Sequence, residues 1–171
     1  TIRSLLEQGT VPVANDAEIF LVIDNSSSMI ENYVGDTTRK QAVIDSANTL
    51  VQKLFEANPD FKIGVVGFSS LDSSKGETEG TINDATLRLG LSNSEEEVKN
   101  AITNLAELEE GPRTNIEAGL TIAQNNFSTD EGVNRYIVLL TDGVPNNATD
   151  GTSLTYSGVV ATRAKAKIEE I

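Results

Sequence analysis

Three short runs of apolar residues, each the length of one strand and each closing on polar residues, constrain this chain more than any other feature. Ile19-Phe20-Leu21-Val22-Ile23 stops at Asp24. Phe61 to Phe68 runs into a polar, Gly-rich stretch over 69–84. Tyr136-Ile137-Val138-Leu139-Leu140 stops at Thr141-Asp142-Gly143. Continuous runs of branched residues, rather than alternating ones, mark strands covered on both faces, as in a parallel sheet.

Helical periodicity fills the intervals. Val43, Ala47, Leu50, Val51, Leu54 and Phe55 recur at helical spacing within a helix expected over Thr38 to Ala57, which Asn58-Pro59 ends. Thr86 to Leu91 alternates, as a short edge strand does. Ser94 before Glu95, Glu96 and Glu97 reads as an N-cap with an acidic, solvated first turn, and Val98, Ile102 and Leu105 continue that helix on one face. Gly111-Pro112 breaks the chain. Ile116, Leu120, Ala123 and Phe127 mark a further helix, and Val160, Ala164, Ile168 and Ile171 a last one from about Gly158. Strands alternating with helices imply a three-layer, doubly wound α/β fold: a mostly parallel sheet with one short antiparallel edge strand and helices on both faces. Residues 1–17 read as a leader and 18–171 as the domain. The start, Thr1-Ile2-Arg3-Ser4, has no apolar signal region, and the chain looks like a piece of something longer.

Composition narrows the chemistry. The 171 residues contain neither His nor Cys. That removes Cys nucleophiles, Ser-His-Asp triads, His bases and the usual nitrogen- and sulfur-ligated zinc sites. Any metal must be held by oxygen, which points to Mg²⁺, Mn²⁺ or Ca²⁺. The formal net charge of −13 disfavours nucleic acid and anionic membrane surfaces as partners. No apolar run approaches the ~20 residues needed to span a bilayer, so membrane insertion by this segment is not expected. The lack of Cys fits an intracellular protein or a bacterial surface protein that folds without disulfides.

In an open parallel sheet, ligands bind beyond the carboxyl ends of the strands. Three polar clusters fall at or beside such ends: Asp24-Asn25-Ser26-Ser27-Ser28-Met29, Pro112-Arg113-Thr114-Asn115 and Thr141-Asp142-Gly143-Val144-Pro145. Each has an ordinary explanation when taken alone. Asp24 serves as a turn cap, the serines as a loop, Thr114 as an N-cap and Asp142-Gly143 as a turn. Together they offer two carboxylates and at least three hydroxyls, a hard-oxygen set suited to Mg²⁺.

Asp24-x-Ser26-x-Ser28, a distant Thr114 and then Asp142-Gly143 resemble the metal-ion-dependent adhesion site of the von Willebrand factor A family, which includes integrin inserted domains and bacterial surface adhesins. The resemblance covers about residues 17 to 171, and three separated motifs in order are far more specific than one. It implies that Ser26 and Ser28 bind a metal through their hydroxyls. Thr114 joins directly in the ligand-competent state, and Asp24 and Asp142 act mainly through water. It implies no catalysis. The partner is a protein presenting an Asp or Glu carboxylate, such as a host matrix protein, and the setting is a bacterial cell surface or pilus. It also implies further strands beyond the last helix, so the domain is expected to be incomplete at its C-terminus.

Two other functions fit some of the residues. An intracellular domain of the same type would use the site to assemble with a partner such as an ATPase subunit. Alternatively, Asp24 would be a phosphoryl-accepting nucleophile. Against the latter, hydroxyls stand at positions 26 and 28 and no phosphate-cradling glycine loop is present. Asp72, Glu77 and Glu79 offer a weaker second cation cluster, better read as a solvated loop. The glycosylation-type triplets at Asn25, Asn126 and Asn147 are taken as chance occurrences.

Overall fold

The structure, a computed structural model, describes residues 17–69, 84–107, 111–143 and 146. The leader before residue 17, the Asp72, Glu77 and Glu79 cluster and the helix expected from Gly158 lie outside the described residues. Six strands are present among them: β1 (Ala17–Asp24), β2 (Asn32–Val34), β3 (Thr37–Thr38), β4 (Lys62–Phe68), β5 (Ala85–Ser92) and β6 (Asn134–Leu140). Three helices accompany them: α1 (Arg39–Ala57), α2 (Glu95–Thr103) and α3 (Ile116–Asn125).

The main sheet runs in the order β5-β4-β1-β6. β1 is parallel to both β4 and β6, and β5 is antiparallel to β4. This is the doubly wound, mostly parallel sheet with one antiparallel strand that the alternation of runs and periodic stretches predicts. The chain builds outward from β1 through β4 to β5, then returns past β1 to place β6 on its other side. The strand order therefore reverses beside the carboxyl end of β1, the location where such sheets bind ligands.

Alternation along β1 splits the core in two. Ile19, Leu21 and Ile23 face α1 and α2, packing with Ile44, Val51, Phe55, Val98 and Ile102. Phe20 and Val22 face α3, packing with Phe68, Ile116, Leu120 and Ala123. All eight residues of β1 are buried, which explains its unbroken apolar run. Two glycines allow close approach on the α3 side. A Cβ at Gly64 would fall 2.1 Å from the Phe20 ring, and one at Gly119 would fall 2.8 Å from Val22 Cγ1, so α3 sits against the sheet only because position 119 has no side chain.

The helix starts follow capping chemistry. Thr38 Oγ1 accepts the Gln41 N–H at 3.1 Å, so the expected first residue of α1 is its cap. Ser94 Oγ accepts the Glu97 N–H at 3.3 Å ahead of the acidic first turn of α2. Two features differ from the sequence reading. The β2–β3 hairpin, with Gly35 at φ +59°, is too short to leave a period in the sequence. And β6 is only partly covered, with Tyr136 49% exposed, because among the described residues it pairs with β1 alone.

Candidate metal centre at the carboxyl edge of the sheet

The site is built outward from the end of β1. Asp24 lies in register with Phe68, and the Asn25 N–H donates to the Phe68 carbonyl at 2.7 Å, carrying the ladder one residue past the strand. The chain then turns. Asp24 Oδ1 accepts the Ser26 N–H at 2.8 Å, the local bond that Asp favours two residues on. Ser26 forms a parallel bridge with Gly111, and the Ser27 N–H donates to the Gly111 carbonyl at 2.8 Å. These contacts tie the serine loop to the segment leading into Thr114. A 3-10 turn over Ser27–Ile30 follows, anchored by the fully buried Met29.

Hydrogen bonds connect four of the five residues singled out in the sequence. Ser26 Oγ and Ser28 Oγ are 3.2 Å apart, and Ser28 Oγ donates to Asp142 Oδ1 at 2.9 Å. The remaining oxygen of Asp24, Oδ2, accepts the Thr141 hydroxyl at 2.6 Å. Thr141 is a site residue that the sequence reading placed in the cluster without a role, and its hydroxyl also receives the Gly143 N–H at 3.1 Å. Loops separated by more than a hundred residues thus share one hydrogen-bonded edge.

Thr114 joins from the α3 side. It is 4% exposed, and a Cβ at Gly143 would stand 3.8 Å from its hydroxyl. The capping explanation for Thr114 fails. The N-cap of α3 is Asn115, whose Oδ1 accepts the Ala118 N–H at 3.1 Å. Asn115 Nδ2 in turn donates to Asp84 Oδ2 at 2.7 Å. The backbone of Thr114 is fixed by Asn146, whose Oδ1 takes the Thr114 N–H at 2.8 Å and whose N–H donates to the Thr114 carbonyl at 3.1 Å. Position and backbone are thus fixed while capping is left to another residue.

The electrostatics are unusual for a buried acid. Asp24 is 1% exposed, and its two oxygens meet an N–H and hydroxyls rather than an Arg or Lys among the described residues. Burial pushes its carboxyl above the usual range. Hydrogen bonds from Thr141 and Ser26 work against that shift, and the nearby Asp142 charge adds to it. Asp142 has a cation of its own. Arg39 Nη1 donates to Asp142 Oδ2 at 3.0 Å, and also to the Ser28 carbonyl at 3.1 Å and to Glu31 Oε2 at 2.8 Å. Nothing in the sequence signals this residue, because its contacts depend on the β2–β3 hairpin returning the chain to the loop.

The donor set suits a hard cation. Two carboxylates and the hydroxyls of Ser26, Ser28 and Thr114 gather at one edge, whereas no group of three or more acidic residues able to hold an ion occurs among the described residues. Asn25, at 7% exposure, is too covered to take a glycan, in keeping with its triplet being accidental.

The profile of the von Willebrand factor type A domain matches residues 19–144, most of the chain, and the chain belongs to that family. Solved structures agree on the fold. The type V pili tip protein Mfa5 from Porphyromonas gingivalis superposes at a TM-score of 0.58 and 21% identity, over 76% of this chain and 38% of that one. The PilB minor pilin from Streptococcus sanguinis gives 0.63 and 22%, over 80% and 32%. The SpRpn10 VWA domain gives 0.59 and 16%, over 90% and 69%. The chain therefore spans well under half of either pilus protein. A search of the curated proteins finds no match.

Proposed function

We propose that this domain binds a protein ligand through a divalent cation, Mg²⁺ or else Mn²⁺ or Ca²⁺, held by Asp24, Ser26, Ser28, Thr114 and Asp142. One observation carries the reading. Asp24 is an acid with 1% exposure, surrounded by hydroxyl oxygens and a second carboxylate, and no basic side chain among the described residues meets it. Burying a carboxylate without a counter-charge is costly, and a cation bound at this edge would supply the counter-charge.

The division of labour follows from the chemistry of the donors. Hydroxyls are neutral, so ligation by Ser26, Ser28 and Thr114 would leave a cation with much of its charge. Asp24 and Asp142 orient those hydroxyls and balance part of that charge. The cation supplies an open position that attracts an anionic oxygen, and an Asp or Glu side chain of a partner fits that demand. No step makes or breaks a covalent bond, so the domain is a binding module rather than an enzyme. The pilus proteins that share its fold support a place at a bacterial surface, within a longer adhesin. The likeness to the SpRpn10 VWA domain, which extends over 90% of this chain, favours a second reading as an intracellular assembly domain. A wall-anchor or secretion signal in the full gene would separate the two.

Calorimetric titration with Mg²⁺ tests the site. The unaltered chain is expected to take up one ion, and Asp24→Ala and Asp142→Ala to take up none or bind far more weakly. Equal uptake by all three removes the site. A stable gain of one phosphate on Asp24 after incubation with a phosphoryl donor, read by mass, would replace the binding reading with an enzymatic one.

A further inference from the structure

We propose that Arg39 sets how much positive charge the bound metal keeps for its external ligand, by drawing off the charge of Asp142. The proposal rests on the metal-binding reading above and adds a residue to it that the five ligand positions do not include.

The geometry divides the Asp142 carboxylate between two jobs. Oδ1 accepts the Ser28 hydroxyl at 2.9 Å and so faces the proposed ligand set. Oδ2 accepts Arg39 Nη1 at 3.0 Å. The side chain of Asp142 is only 14% exposed, against 65% for Glu31, the other acid on the same guanidinium nitrogen. Of the two ion pairs, the one with Asp142 is therefore less screened by solvent. The same nitrogen also reaches the Ser28 carbonyl at 3.1 Å, so Arg39 holds the backbone of one proposed ligand and the carboxylate of another.

The location of Arg39 argues that its charge has a purpose there. It is the first residue of α1, whose first turn holds no acidic residue. A cation at a helix N-terminus opposes the positive end of the helix dipole. Ion pairs with Asp142 and Glu31 offset that cost. A guanidinium carries a fixed positive charge.

Two acids alone would place two negative charges at the edge of the sheet. Arg39 offsets the charge of Asp142, while Glu31, on the same guanidinium but with its side chain 65% exposed, is largely screened by solvent. A divalent cation there is held less tightly but keeps more charge for an incoming carboxylate. Arg39 is thus a positioning and tuning residue, which trades metal affinity for ligand affinity. A purely structural support would move both in the same direction.

The test uses the full chain and two probes, Mg²⁺ alone by calorimetry and fluoroacetate on the Mn²⁺-loaded protein by ¹⁹F relaxation. Arg39→Gln keeps a donor and loses the charge. It is expected to bind Mg²⁺ about five- to tenfold more tightly and fluoroacetate more weakly by a similar factor, whereas Arg39→Lys stays near the unaltered chain. Unchanged Mg²⁺ affinity in Arg39→Gln, or parallel loss of both affinities, overturns the proposal. If Arg39→Gln does not fold by circular dichroism, Glu31→Gln is read instead. It frees Arg39 for Asp142 and is expected to weaken Mg²⁺ binding about twofold, with no change counting against the proposal. Failure of the unaltered chain to bind Mg²⁺ removes the metal reading itself, and this one with it.

Discussion

Strand β1 buries an acid near each end, Glu18 and Asp24, both 1% exposed and both on the sheet face that packs against α3. The chain treats them in opposite ways. Glu18, at the amino end, has a tethered cation. Arg135 on β6 lies 3.7 Å from its Oε2, which also accepts the Ser128 N–H at 3.0 Å. Arg135 further donates to the carbonyls of Ser128 at 2.8 Å and Asp130 at 2.6 Å, so the acid, the base and the loop before β6 form one connected unit. Asp24, at the carboxyl end, meets only hydroxyls and an N–H among the described residues, while Arg39 pairs with Asp142 instead. A counter-charge that is part of the chain makes a structural joint. One that comes from solution, as proposed for Asp24, would make a site whose occupancy can change.

That contrast yields graded predictions. The largest effect belongs to Asp24→Asn, expected to abolish Mg²⁺ uptake in calorimetry while raising the melting temperature of the metal-free protein at neutral pH. The sign follows from the direction of the shift. Burial raises the Asp24 pKa, so the folded state holds this proton more tightly than the unfolded chain. Its contribution to stability is complete below the unfolded pKa and is lost as pH rises through the folded one. Without metal, the unaltered protein should therefore gain stability at this site as pH falls from neutral, and Asp24→Asn should lack that dependence. Melting curves across pH in a chelator would decide it. A variant that melts lower than its parent at neutral pH would break the comparison.

Next in size is Arg135→Ala, which leaves Glu18 buried without its cation. It should cost about 2–4 kcal/mol by denaturant titration and leave Mg²⁺ affinity unchanged. A loss of Mg²⁺ binding there would mean that the two ends are not independent. Ser28→Ala removes one hydroxyl from the proposed ligands and the bond to Asp142 Oδ1. Mg²⁺ binding should weaken about tenfold with a stability change under about 1 kcal/mol. The smallest effect is expected from Thr141→Val. It deletes the hydroxyl on Asp24 Oδ2, which costs about 1 kcal/mol in the metal-free protein and weakens Mg²⁺ binding a few-fold. If Thr141→Val proved as damaging to uptake as Asp24→Asn, Thr141 itself would have to be counted among the ligands.

Much of this arrangement was legible in the residues, and the exceptions share a cause. The continuous run Ile19 to Ile23 announced a strand covered on both faces, and β1 is buried throughout. The capping chemistry of Ser94 was correct because N-capping is local, a bond from a side chain to a backbone three residues away. Thr114 shows where local reasoning stops. Thr is an acceptable cap, yet Asn115 takes that position, and only the geometry of the turn into α3 chooses between neighbours. The apolar run of β6 reports strand formation but not which edges find partners; the partial cover of this strand was signalled only by the family resemblance, which implies further strands beyond the last helix.

The sequence by itself determined the class of the sheet, the order of its layers and the oxygen-only chemistry of any metal site, because burial patterns and the absence of His and Cys are properties of the chain before it folds. Tertiary structure alone decided which charges meet. Arg39 and Asp142 are 103 residues apart, and Glu18 meets Arg135 from the far end of the described chain. Contacts at such separations depend on strand order and on the path of a short hairpin, neither of which leaves a period or a motif to read. Coulomb energy depends on distance in space, and only the folded chain sets that distance.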